Sequence, residues 1–251
     1  MRFAVSLGTF PTMSEVSEVI GHDHPDVRGG WLRPAVFGAM DGLVSNLALI
    51  AGVAGGTRDA GDSKAVVLAG LAGLAAGAFS MAAGEYTSVA SQSEYAEAEI
   101  AKERREILAH PLAEEQELAD TYVEKGIDPG VAKEMAEQVH RDLDNAVAVH
   151  SREEFGVDPA DLASPMVAAV SSFLAFAAGA LVPVLPYLLG AATLVPCLMV
   201  TLVALFACGA LVTRLTARSW WYGGLRQLAL GGAAAGLTYT FGVMVGSSGL
   251  A

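Results

Sequence analysis

Five long apolar stretches dominate the sequence, over residues 34–55, 65–90, 165–187, 189–213 and 228–249. The first two contain one charged residue each, Asp41 and Glu85, and the other three contain none. Each stretch has about the 20 residues that a helix needs to cross the hydrocarbon core of a bilayer. The remaining residues are too few to cover five such helices in water. The sequence therefore predicts an all-α membrane protein with five transmembrane helices.

Charge is concentrated in one middle segment, residues 91–163, which we call the acidic domain. The chain has 27 acidic and 15 basic residues and a net charge of -12. The acidic domain alone holds 19 of the acidic and 7 of the basic residues, so it carries the whole excess. Nucleic acid is excluded as a main partner, because its recognition needs basic residues clustered on one face.

Three helices are predicted in the acidic domain. The first, residues 91–109, continues the second apolar span without a Gly or Pro and ends before Pro111. The others are expected over residues 112–124 and 129–155, before Gly126 and Gly156. Four parts follow from this pattern, namely a tail (1–33), transmembrane helices 1–2 (34–90), the acidic domain (91–163) and transmembrane helices 3–5 (164–251).

The distribution of Lys and Arg predicts the orientation, because basic residues concentrate on the cytoplasmic side of a membrane. All but Arg58 and Lys64 lie on one side if the N-terminal tail and the acidic domain share that side. We therefore expect both to be cytoplasmic, and five spans place the C-terminus opposite. The membrane is expected to be a bacterial plasma membrane or that of an acidic organelle.

Glycines spaced four apart recur in the apolar stretches and predict close packing of helix backbones. The pairs are Gly38 and Gly42, Gly52 and Gly56, Gly73 and Gly77, Gly232 and Gly236, and Gly242 and Gly246.

Two pairs of glutamates flank the predicted turn at Pro111. Glu103 and Glu106 precede it and Glu114 and Glu117 follow it, and a spacing of three puts both carboxylates of a pair on one helix face. If the chain reverses at the turn, the pairs face each other, and Glu153 or Glu154 could close a cation site. A solvated acidic face explains the same spacing equally well.

The two charged residues of the apolar stretches predict a second site. A charge in hydrocarbon costs roughly 2.5 to 3.5 kcal/mol, so Asp41 is expected to be functional. Counted at about 1.5 Å per residue, Asp41 and Met81 can share a depth, with Glu85 at the cytoplasmic mouth. A carboxylate beside a thioether suits a transition metal better than Mg²⁺ or Ca²⁺.

The stretches 38–46 (GAMDGLVSN), 80–86 (SMAAGEY) and 150–154 (HSREE), with the glutamates between them, resemble the vacuolar iron transporter family over about residues 31–250. The resemblance implies a homodimer that gathers Fe²⁺ and related metals on a Glu-rich cytoplasmic domain and passes them outward in exchange for protons. It implies the metal ligands Asp41, Met81, Glu103, Glu106, Glu114, Glu117 and Glu154. Where the family carries methionines this chain has His150 and Ser151, so His150 is a candidate ligand and the metal preference is open.

The alternative is a membrane-anchored, carboxylate-bridged iron-oxidising or iron-storage protein. Such bundles need a Glu-x-x-His motif on each of two helices, and this chain has one, residues 137–140. No dinucleotide fingerprint or P-loop is found in the sequence. We therefore expect a carrier without a prosthetic group, not an enzyme, whose partners are metal ions, protons, the bilayer and a second copy of itself.

Overall fold

The computed structural model describes residues 30–57, 63–213 and 218–248, so residues 1–29 of the predicted tail lie outside the described part. The described residues form helices joined by short connections, with no strand among them. The helices are α1 (Leu32–Gly56), α2 (Ser63–Ala109), α3 (Pro111–Glu124), α4 (Pro129–Val139), α5 (Leu143–Glu154), α6 (Pro165–Leu188), α7 (Leu194–Val212) and α8 (Trp220–Ser247).

Five of these helices, α1, α2, α6, α7 and α8, are long and apolar enough to cross a membrane. This confirms the predicted all-α class and the five spans. A helix suits this setting because its backbone hydrogen bonds are made within the segment, where lipid offers no partner. The chain is therefore an integral, multi-pass membrane protein.

The second helix, α2, is much longer than a membrane is thick. Its 47 residues extend for about 70 Å at 1.5 Å per residue. It runs unbroken across residue 90, so the predicted boundary between membrane and acidic domain falls inside one rod. The prediction that the second span continues to residue 109 is therefore correct, and one rigid element connects the two parts.

Helix α1 lies at the centre of the spans and packs closely on α6 and α8. A Cβ added at Gly42 would lie 2.8 Å from the backbone nitrogen of Ala180 in α6. On the other side Gly52 and Gly242 face each other so closely that a Cβ on either would meet the other helix's backbone. Small residues thus allow the backbone contact that holds helices together in lipid.

The five glycine pairs do not all serve this contact. Gly73 and Gly77 face side chains of α1 and α6 and not a backbone. Gly232 and Gly236 have open space where a Cβ would be, so their spacing marks no helix contact within the described residues.

The last predicted helix of the acidic domain, residues 129–155, is two helices, so this one boundary was wrong. Helix α4 ends at Val139 and α5 begins at Leu143. The break is stabilised by Asp142, whose carboxylate caps α5 by accepting a hydrogen bond of 2.8 Å from the Asn145 backbone. The Asn145 side chain in turn donates to the exposed last carbonyl of α4, at Val139.

This break lets the two helices pack on different partners. Helix α4 covers a small core with α3, formed by Leu118, Ala119, Tyr122, Ala132 and Ala136. Helix α5 instead packs on the end of α2, where Ile107 contacts Ala146 and Val147. The break therefore brings α5 and its polar residues against the last turns of α2.

We predict that Gly42→Ala lowers the stability of the protein in detergent. The added methyl must force α1 from α6, and overpacking of this kind costs about 1 to 3 kcal/mol. Gly236→Ala is the matched control, because its methyl meets no heavy atom within 4 Å. Thermal unfolding of both variants checks this, and equal midpoints would contradict the proposed backbone contact.

Candidate metal centre

A tight reversal of the chain brings the two predicted glutamate pairs to one place. The backbone N–H of His110 donates to the backbone carbonyl of Glu106 at 2.8 Å, at the end of α2. Pro111 lies in the first turn of α3, where a backbone N–H would have no partner within the helix, so its absence costs nothing. Helix α3 therefore begins beside the end of α2. Glu103 and Glu106 lie on one side of this turn and Glu114 and Glu117 on the other.

Three side chains at this place form a compact cluster. Glu103 on α2 and both His150 and Glu154 on α5 each offer one ligand atom, and these atoms all lie within 4.8 Å of one another. The Nδ1 atom of His150 is 3.0 Å from Oε1 of Glu103 and 2.7 Å from Oε1 of Glu154. Carboxylates and an imidazole at this separation can bind a divalent transition metal.

The cluster is largely shielded from water. Glu103 is 3% exposed and His150 is 0% exposed, whereas Glu154 reaches the surface. Burial, followed by the charge of Glu154, raises the pKa of Glu103 to about 7, although His150 opposes this shift. Oε1 of Glu103 accepts no hydrogen bond among the described residues. Nδ1 of His150 lies 3.0 Å from this oxygen but does not form a hydrogen bond of good geometry with it. A cation bound here would therefore be favourable for the buried carboxylate.

The other predicted carboxylates are arranged around this cluster to different degrees. Burial, followed by the charge of Glu117, raises the pKa of Glu114, and the charges of His150 and Glu154 also act on Glu114, so Glu114 lies within electrostatic range of the cluster. The charge of Glu106 also raises the pKa of Glu103 and of Glu114. Its carboxylate forms an ion pair with Lys102 at 3.8 Å. Glu153 forms an ion pair with Lys125, so of the two neighbouring glutamates it is Glu154 that joins the cluster.

A second histidine, His140, lies beside His150 and had not been singled out as a ligand. The two rings meet edge to face with centroids 5.2 Å apart. Glu137, its partner in the Glu-x-x-His motif, is exposed on α4. The carboxylate of Glu137 is therefore not part of the cluster formed by Glu103, His150 and Glu154.

A cavity of about 230 Å³ lies in the membrane-spanning part, where α1, α2 and α6 meet. Its lining is Asp41, Ser45, Asn46, Leu49, Gly73, Gly77, Ser80, Met81 and Phe176. Asp41 is the one charged side chain among these nine. The structure thus places Asp41 and Met81 on one cavity, whereas Glu85, a turn further along α2, is not part of the lining.

Two polar neighbours of Asp41 complete the cavity and were not predicted as site residues. The Ser45 hydroxyl donates to the Asp41 carboxylate at 2.6 Å. Asn46 is almost fully buried and contacts both α2 and α6. Both lie in the stretch 38–46, four and five residues after Asp41. This closeness in sequence is the signal that could have pointed to them as site residues.

Several vacuolar iron transporters are similar in sequence to this chain over most of its length. A vacuolar iron transporter of Acanthamoeba castellanii is 37% identical over 71% of this chain, a match that spans 62% of that protein, or less than two thirds. Vacuolar iron transporter 1 of rice, Oryza sativa subsp. japonica, is 28% identical over 95% of this chain and 96% of its own. Vacuolar iron transporter 1 of Arabidopsis thaliana is 30% identical over 72% of each chain.

The chain also matches the model of a family as a whole. The model of the VIT family fits residues 32–243, which run from the first residue of α1 into the last turns of α8 and include both the buried cluster and the membrane cavity. The fold, the two sites and this match agree, and the chain belongs to the VIT family.

Proposed function

We propose that this protein carries Fe²⁺, and related divalent metals such as Mn²⁺, Co²⁺ and Zn²⁺, out of the cytoplasm in exchange for protons. The observation that carries the proposal is the membrane cavity, where the carboxylate of Asp41 and the thioether of Met81 line one space. Helix packing alone does not account for this pair, because an ionised carboxylate is costly in hydrocarbon. The names of the relatives support iron as the cargo.

The acidic domain captures metal before it enters the membrane. Its ligands are the cluster of Glu103, His150 and Glu154, assisted by Glu106, Glu114 and Glu117. Imidazole nitrogen and carboxylate oxygen together suit Fe²⁺, Mn²⁺, Co²⁺ and Zn²⁺ better than Mg²⁺. His150 stands where the family carries methionine, so this site is harder and less selective for soft ions than a methionine site. Glu153 contributes its charge to the surface beside the cluster.

The membrane cavity exchanges metal for protons through Asp41. A carboxylate in low dielectric is stable when it holds either a proton or part of a metal's coordination shell, and each displaces the other. Met81 adds a soft donor that retains transition metals in preference to Ca²⁺ or Mg²⁺. Glu85 lies a turn nearer the acidic domain, where it receives ions at the mouth of the cavity.

The orientation follows from the basic residues, and the assembly is a homodimer. The tail and the acidic domain face the cytoplasm, which contains the metal, and the C-terminus lies on the other side.

Helix α2 leaves large apolar side chains uncovered in the protomer, among them Leu68 at 70% and Phe79 at 69% exposure. A second copy packed on α2 would cover part of this face and enclose the cavity that α2 lines.

Asp41→Asn is expected to stop transport. The amide keeps the size and the hydrogen bonding of Asp41 but cannot ionise, so metal flux and metal-driven proton flux should both fall to the level of empty liposomes. Asp41→Glu should keep part of the activity. Met81→Leu removes only the sulfur and should weaken Fe²⁺ transport without unfolding the protein.

Proteoliposomes that contain a metal-sensitive and a pH-sensitive dye measure both fluxes at once. Size-exclusion elution and thermal unfolding control for folding of each variant. Unchanged metal flux in Asp41→Asn would rule out this carboxylate as part of the pathway and would make Glu85 the next residue to test.

Metal capture by the acidic domain can be separated from the membrane cavity in the Asp41→Asn background. Replacing Glu103, Glu106, Glu114 and Glu117 together by Gln removes four charges and should abolish most divalent metal binding measured by calorimetry. The matched control replaces Glu94, Glu97, Glu134 and Glu137, which are exposed. Equal binding by both quadruple variants would show that the cluster is only a solvated acidic face.

With Asp41 intact, the first quadruple variant should transport less at low metal concentration but not lose transport. The acidic domain raises the local metal concentration, whereas the cavity conducts the ions.

Metal capture is also expected to depend on pH around neutrality. With a pKa of about 7, Glu103 holds a proton at pH 6 and is mostly ionised at pH 8, and a metal must displace that proton at the lower pH. Affinity measured by calorimetry in the Asp41→Asn background should therefore fall about tenfold from pH 8 to pH 6 through this group. Glu134→Gln should leave the profile unchanged. An affinity that does not change between pH 8 and pH 6 would contradict the raised pKa of the buried Glu103, because an ordinary glutamate titrates below pH 6.

A further inference from the structure

Asn46 is a buried amide in the wall of the membrane cavity. Its side chain is 2% exposed, and its nitrogen Nδ2 donates to two backbone carbonyls, that of Gly70 in α2 at 3.1 Å and that of Ala180 in α6 at 2.6 Å. Both hydrogens of the amide are therefore used. Asn46 joins three helices at the level of the cavity.

These two bonds fix which way the amide faces. The reversed orientation would turn the carbonyl oxygen Oδ1 towards two other carbonyl oxygens, with no hydrogen between them, and would lose both bonds. In the orientation that satisfies the donors, Oδ1 of Asn46 is buried and accepts no hydrogen bond from any described residue. A buried acceptor without a partner is unfavourable, because it has lost its hydrogen bonds to water.

Asn46, the residue that carries this oxygen, lines the cavity. A Cβ built at Gly73, which also lines the cavity, would come within 2.8 Å of Oδ1, so the glycine lets α2 pack closely beside this oxygen. Asp41 lies five residues earlier on the same helix, and Met81 faces the same space from α2. The donors around the cavity are thus a carboxylate, a thioether, two hydroxyls and one amide oxygen without a partner.

We propose that Asn46 is a third metal-contacting residue of the membrane site, where its Oδ1 binds the transported ion together with Asp41 and Met81. This rests on the proposed transport function and adds a residue to it. Amide oxygens are ordinary ligands of hard and intermediate divalent cations. The ion supplies the partner that the buried oxygen lacks, and the bonds to α2 and α6 hold the oxygen in position before the ion arrives.

A neutral donor has a further consequence for exchange. If the residue were a second carboxylate, the empty cavity would hold two negative charges in a low dielectric and would need two protons to neutralise them. With Asn46, Asp41 is the one ionisable side chain of the lining. The amide therefore adds a bond to the metal without adding a charge that must be compensated after release.

Two substitutions separate the oxygen from the amide nitrogen. Asn46→Asp keeps an oxygen at the cavity and loses the NH₂ group, whereas Asn46→Leu loses both at similar volume. The matched control is Gln227→Leu, which removes another largely buried amide that bonds between helices, to Met40 at 3.0 Å, but does not line the cavity. Asn46→Ala replaces Asn46→Leu if the leucine variant does not fold.

The experiment measures Fe²⁺ uptake against Fe²⁺ concentration by full-length protein in proteoliposomes, with thermal unfolding in parallel. We expect Asn46→Leu to raise the half-saturating concentration at least about tenfold and Gln227→Leu to change it by less than about threefold, whereas Asn46→Asp, which adds a charge but keeps an oxygen, should raise it less than Asn46→Leu does. Equal losses in Asn46→Asp and Asn46→Leu would show that the NH₂ bonds matter and the oxygen does not, which overturns the proposal. Unchanged uptake by Asn46→Leu would overturn it as well.

Asp41→Asn in the same assay distinguishes this proposal from the one on which it rests. If Asp41→Asn is inactive and Asn46→Leu transports normally, only the role of Asn46 fails. If Asp41→Asn transports normally, the membrane site itself fails, whatever Asn46 does.

Discussion

An ionised carboxylate costs roughly 2.5 to 3.5 kcal/mol in a membrane helix, and the packing around Asp41 offers this side chain polar surroundings. Ser45 donates to the carboxylate, and a cavity beside it admits a polar occupant. The cavity lies where α1, α2 and α6 meet, with α1 packed on α6 at Gly42 and with side chains of α1 and α6 packed on Gly73 and Gly77 of α2. The close helix contacts and the open space are thus parts of one arrangement around a charge.

Helix α2 connects this cavity with the acidic domain. Met81 and Glu103 lie on the same unbroken helix, 22 residues or about 33 Å apart. The buried cluster at the far end depends on a second feature, the break before Leu143, which turns α5 onto α2 and brings His150 and Glu154 to Glu103. A capture site and a membrane site joined by a rigid rod fit a carrier that concentrates its cargo before moving it.

The spans, the long α2 and the meeting of the glutamate pairs could be predicted, because apolar length, helix propensity and a proline turn are local properties of the sequence. The sequence does not predict the break between α4 and α5, although Asp142 precedes Asn145 in a capping pattern, because no Gly or Pro marks this position. The role of Asn46 could not be predicted, because its partners lie 24 and 134 residues away. Which polar side chain is left without a partner is decided by tertiary contacts.

Anomalous X-ray diffraction from crystals of the full-length protein grown with Co²⁺ tests most directly whether both places bind metal. We expect one peak among Glu103, His150 and Glu154, and a second in the cavity between Asp41, Asn46 and Met81. Asp41→Asn should remove the second peak and leave the first. Peaks confined to exposed carboxylates, with no density at either place, would contradict the assignment of these sites to metal transport.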